Sequence, residues 1–266
     1  GTSVFVNEDI TSTRADANIT LRASGALHLT TSKQVRTNGG DIVLWADSDN
    51  NLAGFVRLLS GSTLCTTAST CNTANTGGGD IVIGGGNANP ADTSRPVGPA
   101  VGSGTTYNTS GTSDTTGIHL GTLGLAGGGA KLYSAGGDML LQGRMHTAPG
   151  SAWAAGIAIV AGTEMFSGTG KINILGETTT AGGTGPDGNI EFGAWGGGTT
   201  TLTSLSTASD AVLIRASESG TAADYGVWGG NDGSRINSAG GIIFRANYIN
   251  SGLDITLSAS GTVVFE

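Results

Sequence analysis

The sequence predicts an all-β chain folded as a right-handed parallel β-helix (β-solenoid). Three observations carry that prediction: a glycine-rich composition short of helix formers, brief alternating apolar runs, and a recurring Gly-Gly-Asp step in front of them. The 266 residues hold 48 Gly but only 5 Pro, with 12% charged and 5% aromatic residues. Gly, Thr, Ser, Asn, Val and Ile are all mediocre or poor helix formers, and the apolar runs are too short for helices. Disorder is excluded because Val, Ile and Leu clusters return regularly along the chain. Collagen is excluded because the glycines keep no three-residue period and proline is scarce.

The repeat is a small polar or acidic residue after one or two glycines, followed by an alternating strand. Its clearest copies are Gly39-Gly40-Asp41-Ile42-Val43-Leu44, Gly78-Gly79-Asp80-Ile81-Val82-Ile83 and Gly136-Gly137-Asp138-Met139-Leu140-Leu141. Looser copies include Ala17-Asn18-Ile19-Thr20-Leu21, Gly170-Lys171-Ile172-Asn173-Ile174, Gly188-Asn189-Ile190-Glu191-Phe192 and Leu253-Asp254-Ile255-Thr256-Leu257. Ile172 and Ile174 inward against Lys171 and Asn173 outward is the two-residue period of a strand with one buried face. A unit this short cannot bury that face alone, so successive units stack as coils and pool their apolar residues in an inner column. The Gly-Gly-Asp steps are expected to be corners, where glycine enters positive φ cheaply. An antiparallel sandwich would show two-residue hairpin turns and more core aromatics.

With roughly 20 residues per coil and about 4.8 Å between coils, the expectation is on the order of 13 coils and a rod about 60 Å long. Residues 1–266 read as a single β-helical domain, with loop insertions expected to protrude near 60–77 and 87–116. Pro90, Pro96 and Pro99 fall within the second. Gly1 opens without a signal peptide, and the closing strand Gly261-Thr262-Val263-Val264-Phe265-Glu266 carries no polar cap. The chain therefore reads as part of a longer protein or as a unit that stacks end to end. Cys65 and Cys71 enclose a small polar loop and read as a local structural disulfide formed in an oxidising compartment. An acidic balance of 20 Asp and Glu against 12 Lys and Arg, with no basic cluster, argues against nucleic acid as a partner. No apolar run is long enough to insert into a membrane as a helix.

The run Gly39-Gly40-Asp41-Ile42-Val43-Leu44-Trp45-Ala46-Asp47-Ser48-Asp49-Asn50, followed by Gly78-Gly79-Asp80-Ile81-Val82-Ile83-Gly84-Gly85-Gly86, resembles repeats of filamentous haemagglutinin-like exoproteins. The resemblance extends loosely over most of the chain. It implies export by two-partner secretion, an extracellular or cell-surface location and service as an adhesin, fibre or stalk. The implied partners are a receptor or glycan on a host or neighbouring cell. The Asn-Pro-Asn motifs of that family's secretion domain are missing, the nearest string being Asn87-Ala88-Asn89-Pro90. The resemblance is thus to the shaft.

Asp47, Asp49 and Asn51 alternate as calcium ligands do, but Leu52 and Leu58 replace the turn glycine and bidentate glutamate of an EF-hand. A solvated turn is the favoured reading. Gly183, Gly185 and Gly188 match the spacing of a dinucleotide fingerprint, but they lead into a strand and offer no helix N-terminus for a pyrophosphate. His28 and His119 take outward strand positions and His146 a turn, all expected at the surface, so no metal and no cofactor is expected. A β-helical lyase or hydrolase acting on polysaccharide would need carboxylates clustered on neighbouring coils, with Glu164, Glu177, Asp187 and Glu191 as candidates. A carbohydrate-binding face would draw on Trp153, Trp195, Tyr225 and Trp228, for which packing is the commoner role. The favoured function is a structural and adhesive rod rather than an enzyme.

Overall fold

The computed structural model describes residues 1–68, 70–73, 76–103, 115–122, 128–146, 155–178, 188–194, 198–218, 225–229, 233–249 and 255–266. Among these residues there is no helix, and the strands wind in rotation through three sheets built by parallel pairing. Sheet A holds Val4–Val6, Leu27–Leu29, Val56–Leu58, Ile118–Leu120, Ala155–Val160, Gly188–Ala194 and Tyr225–Gly229. Sheet B holds Ile10–Ala15, Gln34–Asn38, Thr63–Cys65, Lys131–Tyr133, Glu164–Phe166, Thr201–Ser204, Ser234–Ser238 and Ile255–Ala259. The main path of sheet C runs through Ile19–Arg22, Ile42–Ala46, Ile81–Ala88, Met139–Met145, Ile172–Thr178, Val212–Glu218, Ile242–Arg245 and Val263–Phe265. The chain is a parallel β-helix.

Parallel register turns the alternation of each strand into columns. Val35, Leu64, Leu132, Met165, Leu202 and Ile236 stack in sheet B. In sheet C one column is Ile42, Ile81, Met139, Ile172, Val212 and Ile242, and its neighbour is Leu44, Ile83, Leu141, Ile174, Ile214 and Phe244. Leu27, Val56, Ile118, Ile157, Ile190 and Val227 face them from sheet A. All of these side chains are buried in one continuous cluster, each contributing about 1.5–3 kcal/mol of transfer free energy.

Among the described residues sheet B holds eight strands, one per coil, which gives a stack about 35 Å long at about 4.8 Å per coil. The expectation of 13 coils and a 60 Å rod is therefore too high. A coil consumes more chain than its three strands need, because long connections intervene, chiefly on the passage from sheet C to sheet A.

The Gly-Gly-Asp corners differ from expectation in an instructive way. In two of the three copies the first glycine of the pair uses positive φ, at +90° for Gly39 and +112° for Gly136, whereas before Asp80 the positive φ falls on Gly77, ahead of the pair. The second is there for space: a Cβ on Gly40, Gly137 or Gly170 would lie 2.3, 2.1 or 1.9 Å from a backbone oxygen one coil away. A hydroxyl closes four of these corners. Thr37, Ser134, Ser167 and Ser238 donate to the carbonyls of Gly40, Gly137, Gly170 and Gly241, each three residues on. The acidic residue is a rung rather than a turn former. Asn18 Oδ1 accepts the Asp41 N–H, Asp41 Oδ1 the Asp80 N–H, Asp80 Oδ1 the Asp138 N–H and Asp138 Oδ1 the Lys171 N–H, all at 2.8 Å. Backbone donors that a parallel corner would leave orphaned are thereby satisfied.

The expected protruding loop at 87–116 packs back in its first part. Pro96–Gly98 pairs antiparallel with Ile81–Ala88, and Ala100–Gly102 pairs parallel with Met139–Met145. This strap lies on the outer face of sheet C, where Val43, Trp45 and Val82 form a second, small buried cluster. Apolar residues on an outward face demand such a cover. Residues 104–114 of the expected loop, and 69, 74 and 75 of the 60–77 insertion, lie outside the described residues.

Candidate functional site

The three enzymatic candidates among the described residues lie on three different sheets. Glu164 on sheet B accepts the Tyr133 hydroxyl at 2.8 Å, and burial, reinforced by this carboxylate, pushes the Tyr133 hydroxyl well above the usual phenol range. Glu177 on sheet C takes Nε and Nη2 of Arg144 at 2.8 and 2.5 Å. Glu191 is buried on sheet A. Asp187 lies outside the described residues, as do Trp153, Trp195, Gly183 and Gly185.

The carboxylates that do align are Asp41, Asp80 and Asp138, on consecutive coils along one corner. Their common place after Gly-Gly was visible in the sequence, but stacking them required the register. Each spends Oδ1 on the next coil's backbone. Arg95 of the strap takes the second oxygens of two, with Nη2 2.5 Å from Asp41 Oδ2 and Nη1 2.8 Å from Asp80 Oδ2, and adds Asp92 at 3.3 Å. Cation and carboxylates hold one another in a half-buried network. That geometry fastens the strap.

The second polar assembly runs along the outward side of sheet A. Register stacks Phe5, His28, Arg57, His119, Ala158, Glu191 and Trp228 in one column. His28 and His119 point outward as expected, but they are not on the surface: they are 3% and 2% exposed, and Arg57 is 1% exposed. The corner between sheets C and A is also tightly packed. Strands of sheet C run on past the corner so closely that a Cβ on Gly143 or Gly176 would meet the carbonyl oxygen of Gly156 or Asn189 at 2.2 Å. His28 is sandwiched by aromatics, stacked on Phe5 at 4.5 Å and edge-on to Phe55 at 5.2 Å between ring centroids. His146 follows the strand Met139–Met145 and donates its backbone N–H to Gly102. Trp228 ends the sheet A column half-buried, and Tyr225 opens its strand.

At the candidate calcium turn, Asp47 Oδ1 accepts the backbone N–H groups of Asn51 and Ala53, and Asn51 Nδ2 donates to Asp49. The turn thus closes on itself. Among the described residues no group of three His, Cys, Asp or Glu side chains is placed to hold a metal ion. Asp47 is fully buried and its Oδ2 has no hydrogen-bond partner. Burial raises its carboxyl above the ordinary 3.8, the backbone donors of Ala53 and Asn51 oppose that, and the charge of Asp49 adds to it. A carboxyl with a raised folded-state value stabilises the fold fully only below its unfolded value, and that contribution is lost as pH rises through the folded value. Asp47→Asn is therefore expected to raise the melting temperature at pH 7 by about 2–4 °C and to leave it unchanged near pH 3.5. Thermal melts of both proteins at the two pH values check this, and a lower melting temperature for the variant at pH 7 contradicts it.

Cys65 and Cys71 form a disulfide with Cα atoms 5.7 Å apart, on the outer side of sheet B. Together these features define a parallel β-helix with internally satisfied corners, a strap on one sheet and a buried polar column on another. No protein-family model, curated protein or solved structure matches the chain.

Proposed function

We propose that the chain is a structural and adhesive rod segment of a secreted bacterial surface protein. One observation supports this reading above others: apolar columns run unbroken through successive coils on all three sheets, while extra chain length is spent mainly at the passage from sheet C to sheet A. A solenoid built this way varies its connections along one edge without disturbing its core, and such an edge is the natural place to present contacts. The resemblance of the Gly-Gly-Asp units to haemagglutinin-like shafts points the same way. At the end rungs Ile10 and Leu21, and Leu257 and Phe265, are left partly or largely uncovered. A further coil, from the same polypeptide or from a second copy, would continue those columns.

The experiment is capture of human epithelial cells and of an arrayed glycan panel by the purified chain on beads, with the supernatant assayed for newly formed reducing ends. Saturable capture without product is the expected result. Release of reducing ends, or no capture from either source, overturns the proposal.

A further inference from the structure

The structure assigns a thiol-exchange site to Cys71, with Arg36 as its positioning residue and a small anionic thiol as the reactant. Arg36 stands on sheet B directly in register with Cys65, and its Nη2 lies 2.6 Å from Cys71 Sγ. Among the described residues no carboxylate neutralises this guanidinium, and its buried Nε has no hydrogen-bond partner. An arginine normally sits against acid or water. Here it sits against a disulfide.

The two sulfurs differ in access. Cys65 belongs to the strand Thr63–Cys65 and is fully buried, whereas Cys71 lies in the connection beyond and is half-buried. Exchange requires a thiolate to reach one sulfur in line with the bond that breaks. Access selects Cys71. The incoming RS⁻ forms a bond to Cys71 Sγ, the Cys65–Cys71 bond breaks, and its electron pair leaves on Cys65 Sγ, which takes a proton from water. The product is a mixed disulfide on Cys71 and a thiol on Cys65. Cys65, held close on the strand, reverses the step when it returns its proton to the solvent: the thiolate bonds to Cys71 Sγ, the mixed disulfide breaks and RS⁻ leaves with the electron pair. The net charge of Arg36 attracts an anionic thiol and repels a cationic one, an effect that salt screens.

The test compares glutathione, which is anionic, with cysteamine, which is cationic, on the folded chain. Free thiols are trapped with N-ethylmaleimide, and peptides are assigned by mass spectrometry. The expected result is a glutathione adduct on Cys71 with alkylated Cys65. Arg36→Gln should slow glutathione about tenfold without slowing cysteamine, whereas Arg36→Lys should retain most of the rate. The comparison of the two thiols on the unaltered chain needs no variant, and added salt should narrow it. An adduct on Cys65, equal slowing of both thiols by Arg36→Gln, or rates that ignore salt overturns the assignment.

Discussion

Gly137→Ala is expected to destabilise the solenoid by about 3 kcal/mol, although it adds a single methyl group to a residue that is not in the left-handed region. The added Cβ would sit 2.1 Å from the carbonyl oxygen of Gly79 and 2.3 Å from its carbon. Both are backbone atoms of the neighbouring coil, so no side chain can rotate away. Gly137 also carries the carbonyl that accepts the Ser134 hydroxyl and the one that a Cβ on Gly170 would strike at 1.9 Å. A shift at Gly137 therefore moves three coils. Thermal melts should show a fall of about 6–12 °C. The control is Gly77→Ala, where the added Cβ meets nothing within 4 Å but φ is +83°. That variant should lose only about 1 kcal/mol, the cost of an L-residue held in the left-handed region. Equal losses at the two positions would mean that conformational freedom, not the closeness of coils, explains the corner glycines.

The same distinction shows what could be read from the sequence. Alternation such as Ile172-Asn173-Ile174 identifies strands and their inner face, because burial on one side of a pleated chain leaves a two-residue period. Glycine pairs followed by an acidic residue identify corners, while the Gly84-Gly85 pair lies inside the strand Ile81–Ala88. Neither reveals coil length, since nothing local distinguishes a short corner from a long detour, and a coil count taken from chain length is too high for that reason. The hydroxyl three residues before the corner glycine, at Thr37, Ser134, Ser167 and Ser238, is present in the sequence but carries little signal among so many Ser and Thr.

Burial on the outer faces was less legible still. His28 and His119 have an outward period that reads as solvent-facing, but period reports direction and not what lies beyond. Val43, Trp45 and Val82 pose the same difficulty: an outward apolar run makes sense only once the strap above it is known. The Asp41, Asp80 and Asp138 ladder could be read as three equivalent positions. Its role as acceptor for the next coil needed the parallel register, because the donor and acceptor of each bond are separated by a whole coil.

Trp45→Ala is expected to cost about 3–4 kcal/mol and to loosen the strap selectively. Trp45 is 1% exposed on the outer face of sheet C, its Nε1 donates to the Gly86 carbonyl at 2.8 Å, and Arg22 stacks over its ring at 4.2 Å. Gly84 lies beside it in register, and the absence of a side chain there leaves room for Gly98 and Pro96 of the strap. The apolar contact and the Arg95 network fasten the same segment, so their effects should not add. Arg95→Ala alone should cost about 1 kcal/mol, since the network is partly solvated. In the Trp45→Ala background it should cost almost nothing, because Arg95 then belongs to a strap already displaced. Hydrogen exchange locates the effect: amides of residues 89–102 should lose protection in Trp45→Ala, while those of Ile172–Thr178 keep theirs. Additive losses, or protection lost evenly through both segments, would show that the strap is an inseparable part of the core rather than a cover fastened at two points.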